Sequence, residues 1–233
     1  MSATLPSRQP LVGRFLRLDP MAPEDAHQLH DIFGDPANYT EGYVMHPPSA
    51  DLAASQAHVN RRLALGGGHT AYTARLVSDG PLGAAGTVVG TSSLGDIDLV
   101  NERAHIGWTI WGHRWWGTEV NPEAKLLMLA QAFDDCSFGR VKIQTDLLNR
   151  RSQAAIAKLG ATREGVLRRH TRRADGTFRD TVVFSILRDE WADVRDRLQA
   201  RLAASLEARP EAGLGLRPPG EPGGLPTVAG ATG

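Results

Sequence analysis

The densest chemistry in the chain lies in the run Arg114-Trp115-Trp116-Gly117-Thr118-Glu119-Val120-Asn121-Pro122-Glu123-Ala124-Lys125, where an alternating apolar run ends and an amphipathic helix begins. The first amide N–H groups of a helix have no intrahelical partner and the peptide dipoles place partial positive charge there, so an anion such as phosphate can settle at that end. Asn121 as N-cap and Pro122 as the first helical residue would locate this cradle. An ordinary strand-to-helix turn carries the same residue types, so the segment alone leaves both readings open. No histidine set has zinc spacing, His27 and His30 standing without further ligands nearby, and no metal is expected. Neither G-x-x-x-x-G-K-[ST] nor G-x-G-x-x-G after a strand occurs, which disfavours a nucleotide-binding domain of another class.

These residues need elements to hold them, and the periodicity supplies an alternation of strands and helices. Residues 13–19 read as a first strand and 23–33 as a helix with Ala26, Leu29, His30 and Phe33 at helical spacing. Residues 35–49, holding Tyr39, Glu41, Tyr43 and His46, are too irregular for an element and lead into a helix over 50–65, stopped by Gly66-Gly67-Gly68. Residues 71–77, 87–94 and 104–111 follow as three consecutive strands, an antiparallel meander by their short connections. After the cradle come a helix over 122–138, a strand over 141–146 and a short helix over 151–159 ended by Gly160. Strands over 163–170 and 180–187 are joined by the hairpin turn Ala174-Asp175-Gly176. A last helix over 189–205 carries the stripe Trp191, Val194, Leu198 and Leu202, read as packing.

Composition narrows the function further. Lys plus Arg equals Asp plus Glu at 26 each, so no net field draws the chain to nucleic acid. A length of 233 residues, 41% of them hydrophobic, supports one sizeable core. We place it in a single domain over 11–206, after a flexible lead-in over 1–10 with Pro6 and Pro10. The Gly- and Pro-rich tail over 207–233 is expected to be disordered. The single Cys136 excludes an internal disulfide and reads as a small core residue. No signal segment and no apolar stretch of about 18 residues is present, so a soluble, cytoplasmic protein without membrane partners is the expectation.

Taken in order, three further runs accompany the cradle: Glu102-Arg103-Ala104-His105-Ile106-Gly107-Trp108; Thr145-Asp146-Leu147-Leu148-Asn149-Arg150-Arg151-Ser152 with Lys158-Leu159-Gly160-Ala161; and Glu164-Gly165-Val166-Leu167-Arg168 with Arg179-Asp180-Thr181. With the cradle they resemble the GCN5-related N-acetyltransferase (GNAT) superfamily, in its ribosomal-protein N-terminal acetyltransferase branch, over residues 11–187. The resemblance implies an α/β (α+β) fold with a mixed, mostly antiparallel seven-stranded sheet whose fourth and fifth strands splay apart around acetyl-CoA or another acyl-CoA. Unpaired backbone groups at Thr109, Ile110 and Trp111 would then bond the pantetheine amides as a strand does. Arg114, Gly117 and Glu119 occupy the positions of the family's pyrophosphate signature, with Trp116 and Thr118 between and beside them. Glu119 departs from the usual Gly or Ala: its carboxylate either repels the pyrophosphate, by about 4 kcal/mol at 4 Å and an effective dielectric of 20, or points to solvent and leaves only its backbone to matter.

Acyl transfer from a thioester to an amine needs a base for the amine, a site for the oxyanion and a proton for the leaving thiolate. Thr109 or Ile110 can offer the oxyanion N–H. The tyrosine that many relatives use for the thiolate is replaced here by Ile156, and Ser152, on the cofactor edge of the short helix by resemblance, is the replacement favoured; it reads equally as a helix-start residue. Asn149 would hold pantetheine or cap the helix. The base candidates are His170 and then His105, with Glu102, Glu41 and a water-mediated route also open. Arg168, Arg169, Arg172 and Arg173 form a basic hairpin group, and Trp108, Trp111, Trp115 and Trp116 either wall a channel or fill the core. The implied activity is acyl-CoA-dependent transfer of an acetyl, or succinyl, group to a primary amine of a protein or small molecule. A non-catalytic acyl-CoA-binding regulatory module is the alternative. A homodimer is the assembly the resemblance implies.

Overall fold

The computed structural model describes residues 2–40 and 47–207. Eight strands form one sheet in the order β1-β2-β3-β4-β5-β6-β8-β7. They are β1 (Leu11–Val12), β2 (Leu16–Pro20), β3 (Thr70–Leu76), β4 (Val88–Asp98), β5 (Arg103–Trp111), β6 (Arg140–Asp146), β7 (Thr162–Arg172) and β8 (Phe178–Leu187). The helices are α1 (Asp25–Gly34), α2 (Ala37–Thr40), α3 (Leu52–Leu63), α4 (Val120–Ala130), α5 (Arg150–Ala157) and α6 (Trp191–Glu207). The strand count is eight where the periodicity predicts seven, because the two residues of β1 pair with β2 but are too few to show alternation.

All strand pairs are antiparallel except β5 with β6, which are parallel because α4 crosses over between them. β3 shows how the layers form. Successive side chains of a strand point to opposite faces, so Tyr72 reaches Gln131 beyond the end of α4 (2.8 Å) while Thr73 reaches Asp25 of α1 (2.7 Å). Helices therefore cover both faces, and β3 is buried almost throughout. The core runs from Leu16, Leu18 and Phe33 through Tyr72 and Ile106 to Met128, Val182 and Ile186.

Local chemistry sets the helix ends, not always where the sequence places them. Asp51 caps α3 by accepting from the Ala54 N–H at 2.7 Å. Asn121 does not cap α4. The helix starts at Val120 with Glu119 in the N-cap position, and the Asn121 Oδ1 accepts instead from the Trp111 indole at 2.9 Å. The expected single helix over 122–138 is α4 followed by a π turn, Gln131–Asp135, with Phe138 outside it. Part of the segment expected to be irregular forms α2, with the Asp35 carboxylate accepting from the Ala37 N–H. Glu41, Tyr43 and His46 lie outside the described residues, as does the tail over 208–233. The lead-in lies against the body: Ala3 is buried, the Thr4 N–H donates to the Cys136 carbonyl at 2.9 Å, and Gln131 donates to the Ser7 carbonyl. Among the described residues no helix is long and apolar enough to cross a membrane.

Candidate active site

A cleft opens where β5 and β6 part. They pair only at Arg103 with Arg140, Ala104 with Val141 and His105 with Lys142. Beyond that point the β6-facing edge of β5 has no strand partner among the described residues, which is the splay the resemblance implies. The opening has a volume of about 540 Å³. β5 contributes His105, Thr109, Ile110 and Trp111 to its lining; the turn into α4 contributes Trp116, Gly117 and Thr118; and the start of α5 contributes Asn149 and Ser152. These residues come from segments far apart in sequence, and the fold brings them to one place.

The cradle is built by backbone conformation. Gly117 has φ +78°, a left-handed conformation that costs residues with a Cβ, and nothing lies within 4 Å of where that atom would be. Space is thus left beside the first turn of α4. Thr118 Oγ1 donates to the Trp115 carbonyl (2.7 Å) and accepts from the Val120 N–H (3.3 Å), tying the turn to the helix. The Trp116 indole donates to the Trp111 carbonyl at 2.9 Å, and the Arg151 guanidinium lies 3.3 Å from the Trp116 ring centroid. Four tryptophans, 108, 111, 115 and 116, line the cleft, and Trp111 and Trp115 are core residues as well.

A bulge shapes β5 next to this opening. Thr91 pairs with Ile110 and Ser93 with Gly107, so two residues, Trp108 and Thr109, face Ser92. Trp108 takes φ +51°, and its carbonyl accepts from the Arg62 guanidinium at 2.7 Å.

His105 is the most constrained titratable group of the cleft. It is 3% exposed, its Nδ1 lies 3.1 Å from Asp96 Oδ2, and its ring sits over Gly107, where a Cβ would come within 2.6 Å of Nε2. Its Nε2 is buried with no hydrogen-bond partner among the described residues. Asp96 itself sits at a β4–β5 irregularity with φ +48° and also accepts from Lys142 Nζ at 3.0 Å. Burial pushes the His105 imidazole below its ordinary value, and the bond to Asp96 opposes that shift. Its hydrogen bonds from His105 and Lys142 hold the Asp96 carboxyl well below the usual carboxylate range. The sequence offers no local sign of this pair, nine residues apart, because a register shift creates it.

Lys125 is named in the cradle run of the sequence but given no role there. It lines the cleft together with Asn121 and Pro122 of the first turn of α4 and is 5% exposed. Its Nζ donates to Thr109 Oγ1 at 3.1 Å and lies 3.5 Å from Ser92 Oγ. Burial pushes its ammonium down to about 7.

Other expected residues lie elsewhere. His170 is exposed, bonded to Thr181 Oγ1 at 3.0 Å, and outside the cleft lining. Arg114 is turned away, reaching the Leu82 carbonyl at 3.4 Å. Glu119 faces neither the cleft nor solvent: it is 3% exposed and not part of the lining, since its N-cap position turns the side chain inward. Glu102 uses its carbonyl to accept from Gly139 and Arg140 and is outside the cleft. Asn149 caps α5, accepting from the Ser152 N–H at 2.9 Å. Of the basic hairpin group, Arg173 pairs with buried Asp146, and Arg169 and Arg172 lie over Phe178.

A sheet of this topology, opened beside a helix start, defines a class. Residues 16–162 match the family described as "Acetyltransferase (GNAT) domain", and the chain belongs to that family. It is 30% identical over 106 residues to "Putative ribosomal N-acetyltransferase YdaF" of Bacillus subtilis (strain 168), a match covering 46% of this chain and 57% of that protein. The chain thus spans little more than half the length of this curated relative. A GCN5-related N-acetyltransferase from Brucella melitensis superposes with a TM-score of 0.79 at 25% identity, covering 91% of this chain and 92% of that one. RimJ of Mycobacterium smegmatis, solved with CoA-disulfide, shares the fold at 19% identity and a TM-score of 0.64, covering 80% and 88%.

Proposed function

We propose that the chain transfers an acetyl group from acetyl-CoA to a primary amine of a protein or small molecule by direct attack of the amine on the thioester. The observation that carries this reading is the parting of β5 and β6 after three residue pairs, with the cradle at Gly117 and Thr118 beside the unpaired edge of β5. The donor fits the cleft by chemistry. An edge of β5 without a strand partner among the described residues suits its amides, and open space at a helix start suits its pyrophosphate. The RimJ neighbour's bound CoA-disulfide supports a coenzyme A ligand.

In this reading His105 Nε2 accepts the proton of the incoming amine. Asp96 holds the ring so that Nδ1 carries the hydrogen and Nε2, without a hydrogen-bond partner among the described residues, keeps its lone pair. The backbone N–H groups near the bulge at Thr109 and Ile110 stabilise the oxyanion. The Glu119 side chain is buried outside the cleft lining, so it does not occupy the space a pyrophosphate would take. The partial similarity to a putative ribosomal N-acetyltransferase favours a protein amine as acceptor.

Thermal unfolding with free, acetyl and succinyl coenzyme A tests the donor. A ligand at about 100 times its dissociation constant stabilises by roughly 2.7 kcal/mol, which for a chain of this size raises Tm by about 5 to 10 °C. Acetyl-CoA is expected to produce that rise, and amine-dependent release of free thiol to follow. Absence of any rise sinks the reading. Binding without turnover on any amine would instead support the non-catalytic module.

A further inference from the structure

Aminolysis of a thioester leaves a thiolate, and something must receive its charge. Among the side chains lining the cleft, Ile156 has no proton to give, and a serine hydroxyl such as that of Ser152 is a weak acid. Arg151, Arg179 and Arg201 are guanidinium groups, which keep their protons in proteins, and Lys158 is exposed to solvent. Asp146 is committed to Arg173. Lys125 differs from all of these. It is buried, it forms no ion pair among the described residues, and its Nζ is anchored to Thr109 on the stretch of β5 whose β6-facing edge has no strand partner among the described residues.

Resting on the acyl-CoA reading above, we infer that Lys125 is the acid of the reaction, its ammonium receiving the departing sulfur of coenzyme A while His105 serves as the base. The amine nitrogen bonds to the thioester carbonyl carbon, and the carbon–sulfur bond breaks with its electron pair going to sulfur. One proton passes from Lys125 Nζ to that sulfur, and the proton shed by the amine passes to His105 Nε2. Water entering the cleft returns a proton to Lys125 and takes one from His105, so the sum is amine plus thioester to amide plus thiol.

Lys125 supports the working form of His105. Positive charge on Lys125 adds to the effects that keep His105 unprotonated. Burial brings the ammonium down to about 7, where it can both give up and regain a proton. The hydroxyls of Thr109 and Ser92, 2.7 Å apart, hold Nζ without neutralising it.

The test binds free coenzyme A to the full chain and titrates its thiol by the ultraviolet band of the thiolate, with desulfo-coenzyme A as the blank. In the wild-type complex the thiol should ionise about one pH unit or more below that of free coenzyme A, as thiols beside a cation do. Lys125→Met should lose this shift while acetyl-CoA still raises its Tm. Lys125→Arg should keep the shift, because the charge remains, yet lose about 100-fold in kcat, because a guanidinium passes on no proton. A Lys125→Met chain that binds acetyl-CoA and titrates like wild type overturns the assignment. So does an unchanged kcat in Lys125→Arg, which decides the matter even if the Met variant does not fold. Failure of the wild-type chain to bind acetyl-CoA would be a different result, overturning the donor reading and this assignment with it.

Discussion

His105 shows how much of the chemistry is decided by one hydrogen bond. Its ring is buried against Gly107, one nitrogen lies against Asp96, and the other has no partner among the described residues. As the proposed base His105 must be neutral to work, and burial holds this imidazole below the ordinary value of 6.5. The acid limb of kcat/KM should therefore lie below pH 6.5, and His105→Gln should lower kcat/KM by about 100-fold and remove that limb. Asp96→Asn gives the diagnostic result. Losing the carboxylate removes the influence that raises the His105 value, so the limb should move further toward acid while kcat falls less than in His105→Gln. A limb that moves toward neutral pH would rule out this geometry for the pair.

At the level of elements, α4 holds the site together through a residue that takes no part in it. The Glu123 carboxylate accepts from the N–H groups of Arg14, Phe15 and Leu16, each at 2.7 Å, and so staples the turn between β1 and β2 onto the cradle helix. Glu123→Ala strands three donors in or near the interior. We expect a loss of about 3 to 5 kcal/mol, or roughly 10 °C in Tm, measurable by calorimetry, with Glu123→Gln losing less. This staple also marks where the sequence stops being informative. Strands and helices were legible from alternation and from the 3.6-residue period because those signals are local. The partners of Glu123 lie 107 to 109 residues away. Asn121 and Pro122 spell a helix start, yet the Trp111 indole claims the asparagine oxygen and the helix begins at Val120. Lys125 reads as an ordinary helix-surface lysine until α4 is laid against β4 and β5. His105 was readable as a candidate, but Asp96 was not, since only the irregular β4–β5 register sets the two together.

For the molecule as a whole, buried histidines set an acid limit on stability. His69 is 6% exposed, packs edge-on against Trp108 at 4.6 Å, and has its pKa lowered from 6.5 to about 4, chiefly by burial and then by the charge of Arg62. The unfolded chain therefore takes up this proton more readily than the folded one. Stability from His69 is complete above about pH 6.5 and is lost as pH falls toward 4, by up to about 3 kcal/mol. His105 acts in the same sense. Chemical denaturation across that window should show stability rising with pH, with a shallower slope in His69→Gln; an unchanged slope would place the acid sensitivity elsewhere. The seam between β5 and β6 bears on the molecule differently. In mechanical terms the sheet is two plates joined along one short hinge of three residue pairs. A ligand lying along the free edge of β5 acts as a cross-brace, so rigidity is a property of occupancy rather than of the polypeptide alone. In the proposed function the donor enters along this narrow joint, and loosening or tightening it would change how quickly the spent coenzyme departs.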